Sequence, residues 1–377
     1  MKSLVLLSLV TGSLFAAAPL ANNTCKTCHP KIYKEYQNSY HANASVYKDK
    51  VFAAIWHKHP ASKKNNFQCK QCHTPSDKGL MEGKYKLHKN AVQLHEPISC
   101  QTCHQIKDVE KHAKANKNIY TTKPKTFYAA DPEKKGTKVE FKEERSFLGL
   151  FTKTTGSPYH DIDYSNELYY NGGSCLGCHD HKQNAKGFMV CDLEVKQGDT
   201  KENCISCHMP KVKGAVANQK ATPVHSFHGA SALVSDPSKL SKTVALTLKE
   251  GEKGFDVVLE NKANHTLAPH PLRLAQLRVT IQRDGETITL PVRNFARVIG
   301  ADGKPAFPWL ADAVLKDTTI KAFEKRSFTF DKQFQKGDVV TVEFGYYKVN
   351  PKIAPKLELD PKEVSKFIVL KKKRFTI

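Results

Sequence analysis

The sequence predicts an α + β chain in two parts. Short helices and long loops fill 22–235, and an antiparallel β-sandwich of immunoglobulin-like outline fills 236–377. Three observations predict this. A pentapeptide of the form C-x-x-C-H occurs five times before residue 209 and never after it. Cysteine ends at Cys207, and apolar residues then alternate with period two, the mark of half-buried strands. A short apolar run at the N-terminus sets residues 1–21 apart from both parts.

That run opens on Met1-Lys2, continues from Leu4 to Phe15 and closes on Ala16-Ala17-Ala18. A charged start, a short apolar core and small residues at the cut describe a secretory signal peptide, with cleavage expected within 16–21. The run is short for a bilayer span, and no later stretch is apolar enough for one, so no stable membrane span is expected after cleavage. The expected compartment is a bacterial periplasm. The formal net charge is +22. A basic surface can guide an acidic redox partner or an anionic substrate. Nucleic acid is excluded as a partner by the export signal together with the motifs.

The five motifs are Cys25-Lys-Thr-Cys28-His29, Cys69-Lys-Gln-Cys72-His73, Cys100-Gln-Thr-Cys103-His104, Cys175-Leu-Gly-Cys178-His179 and Cys204-Ile-Ser-Cys207-His208. Two thiols three positions apart can add across the two vinyl groups of one porphyrin, and the next residue, His, can ligate its iron. They use ten of the eleven cysteines. A zinc knuckle needs no His after each second Cys, a thioredoxin-like pair does not recur five times, and a disulfide scaffold does not repeat one spacing. The expectation is five covalently attached haem c groups. Cys191 is left over and reads as an idle, buried thiol.

Some 210 residues for five haems leave about 40 residues each. That is too little for an ordinary apolar core, so a core filled by haem is expected. Successive first cysteines lie 44, 31, 75 and 29 residues apart. The short intervals predict two close haem pairs, second with third and fourth with fifth. The long one holds Lys-rich turn sequence, an excursion covering a haem or forming a partner surface.

Cys25-x-x-Cys28-His29-Pro30-x-Ile32-Tyr33-x-Glu35-Tyr36-x-x-Ser39-x-His41 resembles the opening of the tetrahaem cytochrome c of nitrifying bacteria. It is also similar to the octahaem cytochromes of the hydroxylamine oxidoreductase superfamily. Cys100-x-x-Cys103-His104-x-Ile106 and Cys204-x-x-Cys207-His208-Met209-Pro210 resemble later motifs of that group. The chain departs from it in carrying five motifs rather than four or eight, and in its C-terminal part.

Twelve histidines lie outside the motifs and compete for the opposite face of each iron. His41 follows an amphipathic stretch (Ile32, Tyr33, Tyr36, Tyr40), and the resemblance implies a distal ligand there. The resemblance also implies His160, ahead of the fourth motif, and His225 in His225-Ser-Phe-His228-Gly229, with His228 as its close competitor. For the other two haems the choice is open between His59 and His95, with His88 and His112 ranked below them. His181 reads as a solvent or supporting residue.

In the C-terminal part the alternating runs are Val244–Leu248, Phe255–Leu259, Leu277–Ile281, Thr287–Leu290, Ser327–Phe330 and Val339–Phe344. Asp284-Gly285 between two of them predicts a tight hairpin. Their spacing predicts the sandwich. One loop, Asn264-His265-Thr-Leu-Ala-Pro269-His270-Pro-Leu-Arg273, resembles an Asn-x-x-x-His-x-x-Pro loop that faces the haems in some multihaem cytochromes. That implies His265 as a ligand across the interface. The Lys371-Lys-Lys-Arg374 run reads as a solvated strand end.

The expected function is a periplasmic electron carrier in a respiratory chain, between a quinol dehydrogenase module and a periplasmic reductase. Every motif ends in His, so none has the Lys that marks the catalytic haem of pentahaem nitrite reductases. If all five irons hold two histidines, no position is free for substrate. The alternative is an oxidoreductase of nitrogen or sulfur oxyanions with one open iron. A docking role for the β-part is compatible with the first reading.

Overall fold

The computed structural model describes residues 21–88, 96–145, 151–196, 202–212, 222–223 and 237–377. In the motif-bearing region the helices are short, from four to nine residues. Pro30–Gln37 starts on a proline, which needs no amide partner in a first turn. Lys50–Lys58 is capped by Asp49, whose side chain accepts from the amides of Val51 and Phe52. That helix buries two sides. Phe52 and Trp56 pack with Val46, Phe67, Leu80 and Leu87, while Val51 packs with Val349 and Ala354.

Helix and loop were expected here, but the described residues also form five small sheets. Ile106–Glu110 pairs with Lys117–Tyr120, and Thr126–Tyr128 runs parallel to Asp161–Asp163. The long interval between the third and fourth motifs is therefore a folded excursion, and its parallel pairing returns His160 to the motifs. His181–Gln183 and Met189–Asp192 form a hairpin whose Val190 packs with Ile299 and Ala311 of the C-terminal region.

That region carries two larger antiparallel sheets. Gly254–Asn261 lies between Val244–Gly251 and Lys325–Phe330. Leu274–Arg283 lies between Val339–Tyr347 on one side and Glu286–Thr289 with Arg293–Phe295 on the other, and Phe367–Thr376 extends the sheet beyond Val339–Tyr347. Alternation is strict in Leu274–Arg283, where Ala275, Leu277, Val279 and Ile281 are buried. The inward residues of both sheets merge in one core around Phe255, Leu259, Leu277 and Phe344. At Asp284 and Gly285 φ is +50° and +85°, the left-handed pair that a two-residue hairpin needs. Lys372 pairs with Glu343 at 2.7 Å inside the last strand, so the basic run is a strand surface. Among the described residues no helix is long and apolar enough to cross a membrane.

Candidate haem-binding site

Each motif folds as one helical turn. The amides of His29, His73 and His179 donate to the carbonyls of Cys25, Cys69 and Cys175 at 2.8, 3.0 and 3.0 Å. Cys100–His104 and Cys204–His208 are helices capped by Ser99 and Asn203. A helical i, i+3 relation sets both thiols of a motif on one face, as attachment to one ring requires.

Three motif histidines meet a histidine from elsewhere in the chain. The ring centroids of His29 and His160 are 6.4 Å apart. Those of His208 and His265 are 6.3 Å apart. His41 and His179 are 5.8 Å apart, with their Nε2 atoms at 3.5 Å. Two metal–imidazole bonds of about 2.0 Å each would set the ring centroids about 6 Å apart, close to the spacing of all three pairs. Among the described residues no three His, Cys, Asp or Glu side chains converge on one metal position.

Hydrogen bonds sort the histidines further. Nδ1 of His73, His104 and His265 lies 3.0, 2.8 and 2.9 Å from the carbonyls of Ala44, Tyr128 and Thr266. A carbonyl only accepts, so Nδ1 donates and Nε2 keeps a lone pair for iron. The opposite holds at His59, His112 and His270, where Nδ1 accepts from the amides of Ala61, Lys114 and Leu272. Neutral imidazole then carries its proton on Nε2, where a metal would bind. His59 lies against Trp56 and Trp309, at 5.9 and 5.0 Å. That environment and its acceptor Nδ1 argue against the expectation that His59 holds iron. His181 uses both nitrogens, on Asp180 and on the carbonyl of His112. His88 is exposed beside Tyr85. His95, His225 and His228 lie outside the described residues.

Burial keeps these imidazoles neutral. Desolvation, then His179 and His73, pull His41 down to about 3. Desolvation, then His208, Arg273 and His73, pull His179 down to about 4. His29, His73, His104, His160 and His265 are lowered as well, burial being the largest cause in each. His270, in the same loop as His265, is pulled down to about 4 by burial, Arg273 and His73. Two prolines flank it in the sequence, the one signal that its ring is held in place.

The thiols show which motifs are neighbours. The Cys25 thiol is hydrogen-bonded to that of Cys100, which holds it at about 7. Cys204 bonds to Cys175 and is likewise held at about 7. Cys72 bonds to Cys178 and is lowered. The fourth and fifth motifs therefore meet, as the intervals predict. The second and third also meet, through Ser76, whose hydroxyl lies 2.7 Å from that of Thr102 and accepts from the amide of Ser99 at 2.8 Å. By their thiols the third meets the first, and the second meets the fourth. Cys191 is raised by burial, which suits an inert thiol.

The family model for cytochrome c554 and c-prime matches residues 24–105, which hold the first three motifs. The crystal structure of a penta-heme cytochrome c552 from Thermochromatium tepidum is similar over 95% of this chain and 99% of that one, with a TM-score of 0.70 and 21% identity. The chain shares the fold of a multihaem c-type cytochrome. No curated protein matches it. The motif match and the fold together support covalently bound haem c. The residues fit that group: thiols on one face of a turn, and neutral imidazoles facing each other in pairs.

Proposed function

We propose that the chain is an exported pentahaem cytochrome that carries electrons in a periplasmic respiratory chain. The observation that carries this reading is the set of facing histidine pairs. In it, Cys25 and Cys28 hold a haem between His29 and His160, Cys175 and Cys178 one between His179 and His41, and Cys204 and Cys207 one between His208 and His265. Cys69 with Cys72 and Cys100 with Cys103 hold the other two, below which His73 and His104 present Nε2. Each haem supplies one-electron chemistry. The protein sets its potential through axial ligands, hydrogen bonds and burial.

Thiol contacts group the haems as first with third, and second with fourth and fifth. An iron with two histidines has no place for substrate, so a set of such irons passes electrons only. The basic charge suits acidic partner surfaces. A quinol dehydrogenase module on one side and a periplasmic reductase on the other fit that role. In this reading 1–21 is the export signal, 22–235 the haem domain and 236–377 a sandwich domain that lends a ligand.

A second reading is a reductase of nitrogen or sulfur oxyanions. It rests on the second motif, where the ring stacked on His73 at 3.8 Å is that of Phe52 and not of a histidine. Low-temperature EPR of the oxidised holoprotein separates the two. The relay predicts low-spin ferric signals alone, unchanged by nitrite, hydroxylamine or sulfite. A high-spin signal of about one haem, shifted by one of those ligands, would overturn it in favour of the reductase.

A further inference from the structure

We propose that Glu194 is a positioning residue for the fifth haem. It holds, from the motif-bearing side, the loop by which the strand-rich region brings His265 to His208. The inference rests on His265 as that iron's sixth ligand, the reading given above.

The loop leaves the strand Gly254–Asn261 and returns in Leu274–Arg283. It is held from two sides. On its own side Asn261, fully buried, donates from Nδ2 to the carbonyls of His265 and Lys321, at 2.9 and 2.8 Å. Its Oδ1 accepts from the amide of Ala263 at 2.9 Å.

On the far side lies the segment 193–196, which runs from the fourth motif's hairpin toward the fifth motif. The amide of Thr266 donates to the carbonyl of Leu193, and the amide of Lys196 donates to the carbonyl of Asn264, both at 2.8 Å. Asn264 and Thr266 flank His265, so these two bonds bracket the imidazole. Glu194 lies between them. Its carboxylate accepts from Oγ1 of Thr266 at 2.5 Å and pairs with Lys321 at 2.9 Å.

Thr266 has two duties. It is buried, its hydroxyl is tied to Glu194, and its carbonyl takes the proton of His265 Nδ1. Loosening the hydroxyl loosens the carbonyl that aims the ring. Glu194 reaches this place with φ at +51°, a conformation that residues other than glycine seldom adopt. Strained backbone persists where its surroundings over-determine it. Here the amide of Glu194 is held by Asp192 Oδ1 at 2.7 Å. The chain that connects the fourth haem to the fifth thereby also secures the fifth haem's distal side.

The test uses the haem-loaded, full-length protein and carbon monoxide as the probe. His265→Ala marks the site: one haem in five should turn high-spin in EPR and bind carbon monoxide when reduced. Glu194→Ala and Thr266→Val should leave that haem low-spin at rest but speed its carbon monoxide binding at least ten-fold, the other haems staying inert. Glu194→Gln, which keeps an acceptor for Thr266 and loses the charge, should fall between. If Glu194→Ala fails to accumulate haem, Thr266→Val, nearly equal in volume, decides. A His265→Ala protein with all haems low-spin and inert overturns the ligand reading and this inference with it. An opened haem in His265→Ala with unchanged rates in Glu194→Ala and Thr266→Val overturns the role of Glu194 alone.

Discussion

The two regions of this chain cohere by different means. The strand-rich region merges two sheets on one core of sixteen buried side chains, Phe255, Leu259, Leu277 and Phe344 among them. The motif-bearing region has a cluster of six, around Phe52 and Trp56, and buries polar residues such as Ser45, Thr74 and Asp77. Three of its motif histidines lie beside histidines from elsewhere in the chain. One region is held by its own side chains. The other has the smaller apolar cluster and carries the five motifs.

The sharpest way to break this comparison is to withhold haem. Replacing all ten motif cysteines by alanine should abolish amide protection through most of 21–212 and leave 244–376 protected, read by hydrogen exchange and mass spectrometry. Equal protection in both regions would refute the contrast. A milder test compares two side chains. Phe344→Ala, in the large core, should cost about 3–5 kcal/mol in urea unfolding, whereas Leu80→Ala, in the small cluster, should cost about 2 kcal/mol. The reverse order would mean that the small cluster, not the haem, holds the first region.

The smallest effect is electrostatic and confined to the strand-rich region. Arg283 holds Asp338, which is almost fully buried, through a contact of 2.6 Å. The hydrogen bond from Arg283 is the main reason the Asp338 carboxyl titrates below its ordinary value. A lowered carboxyl contributes stability above the unfolded pKa, about 3.9, and loses it as pH falls through the folded value. Asp338→Asn should therefore lower the urea midpoint more at pH 6 than at pH 3. A gap that widened toward acid would show the sign to be wrong.

What the sequence revealed follows the same division. The motif cysteines and histidines were readable because thioether chemistry fixes their spacing. The strands were readable because a half-buried sheet imposes alternation, strict in Leu274–Arg283. His41, His160 and His265 stood out as residues, but their partners did not. His41 faces a motif 138 residues away, and no local pattern encodes such a distance. Sequence intervals pointed to the contact of the second and third motifs, made through Ser76 and Thr102, but not to that of the third with the first. His59 looked like a ligand beside a proline. The Ala61 amide that occupies its Nδ1 is visible only in three dimensions. The short strands of the excursion were hidden in Lys-rich sequence, where runs of two to five residues show little period.

The docking of Lys50–Lys58 on the far end of the chain also bears on the order of assembly. Lys50 pairs with Glu363, Lys58 with Glu358, and Asp49 with Lys348, contacts that close loops of 313, 300 and 299 residues. Loops of that length are slow to close, and their partners emerge last from a chain made from its N-terminus. Those three contacts therefore come late in assembly. The helix Lys50–Lys58, which carries Phe52 against the ring of His73, is thus fastened to the strand-rich region only after both are made.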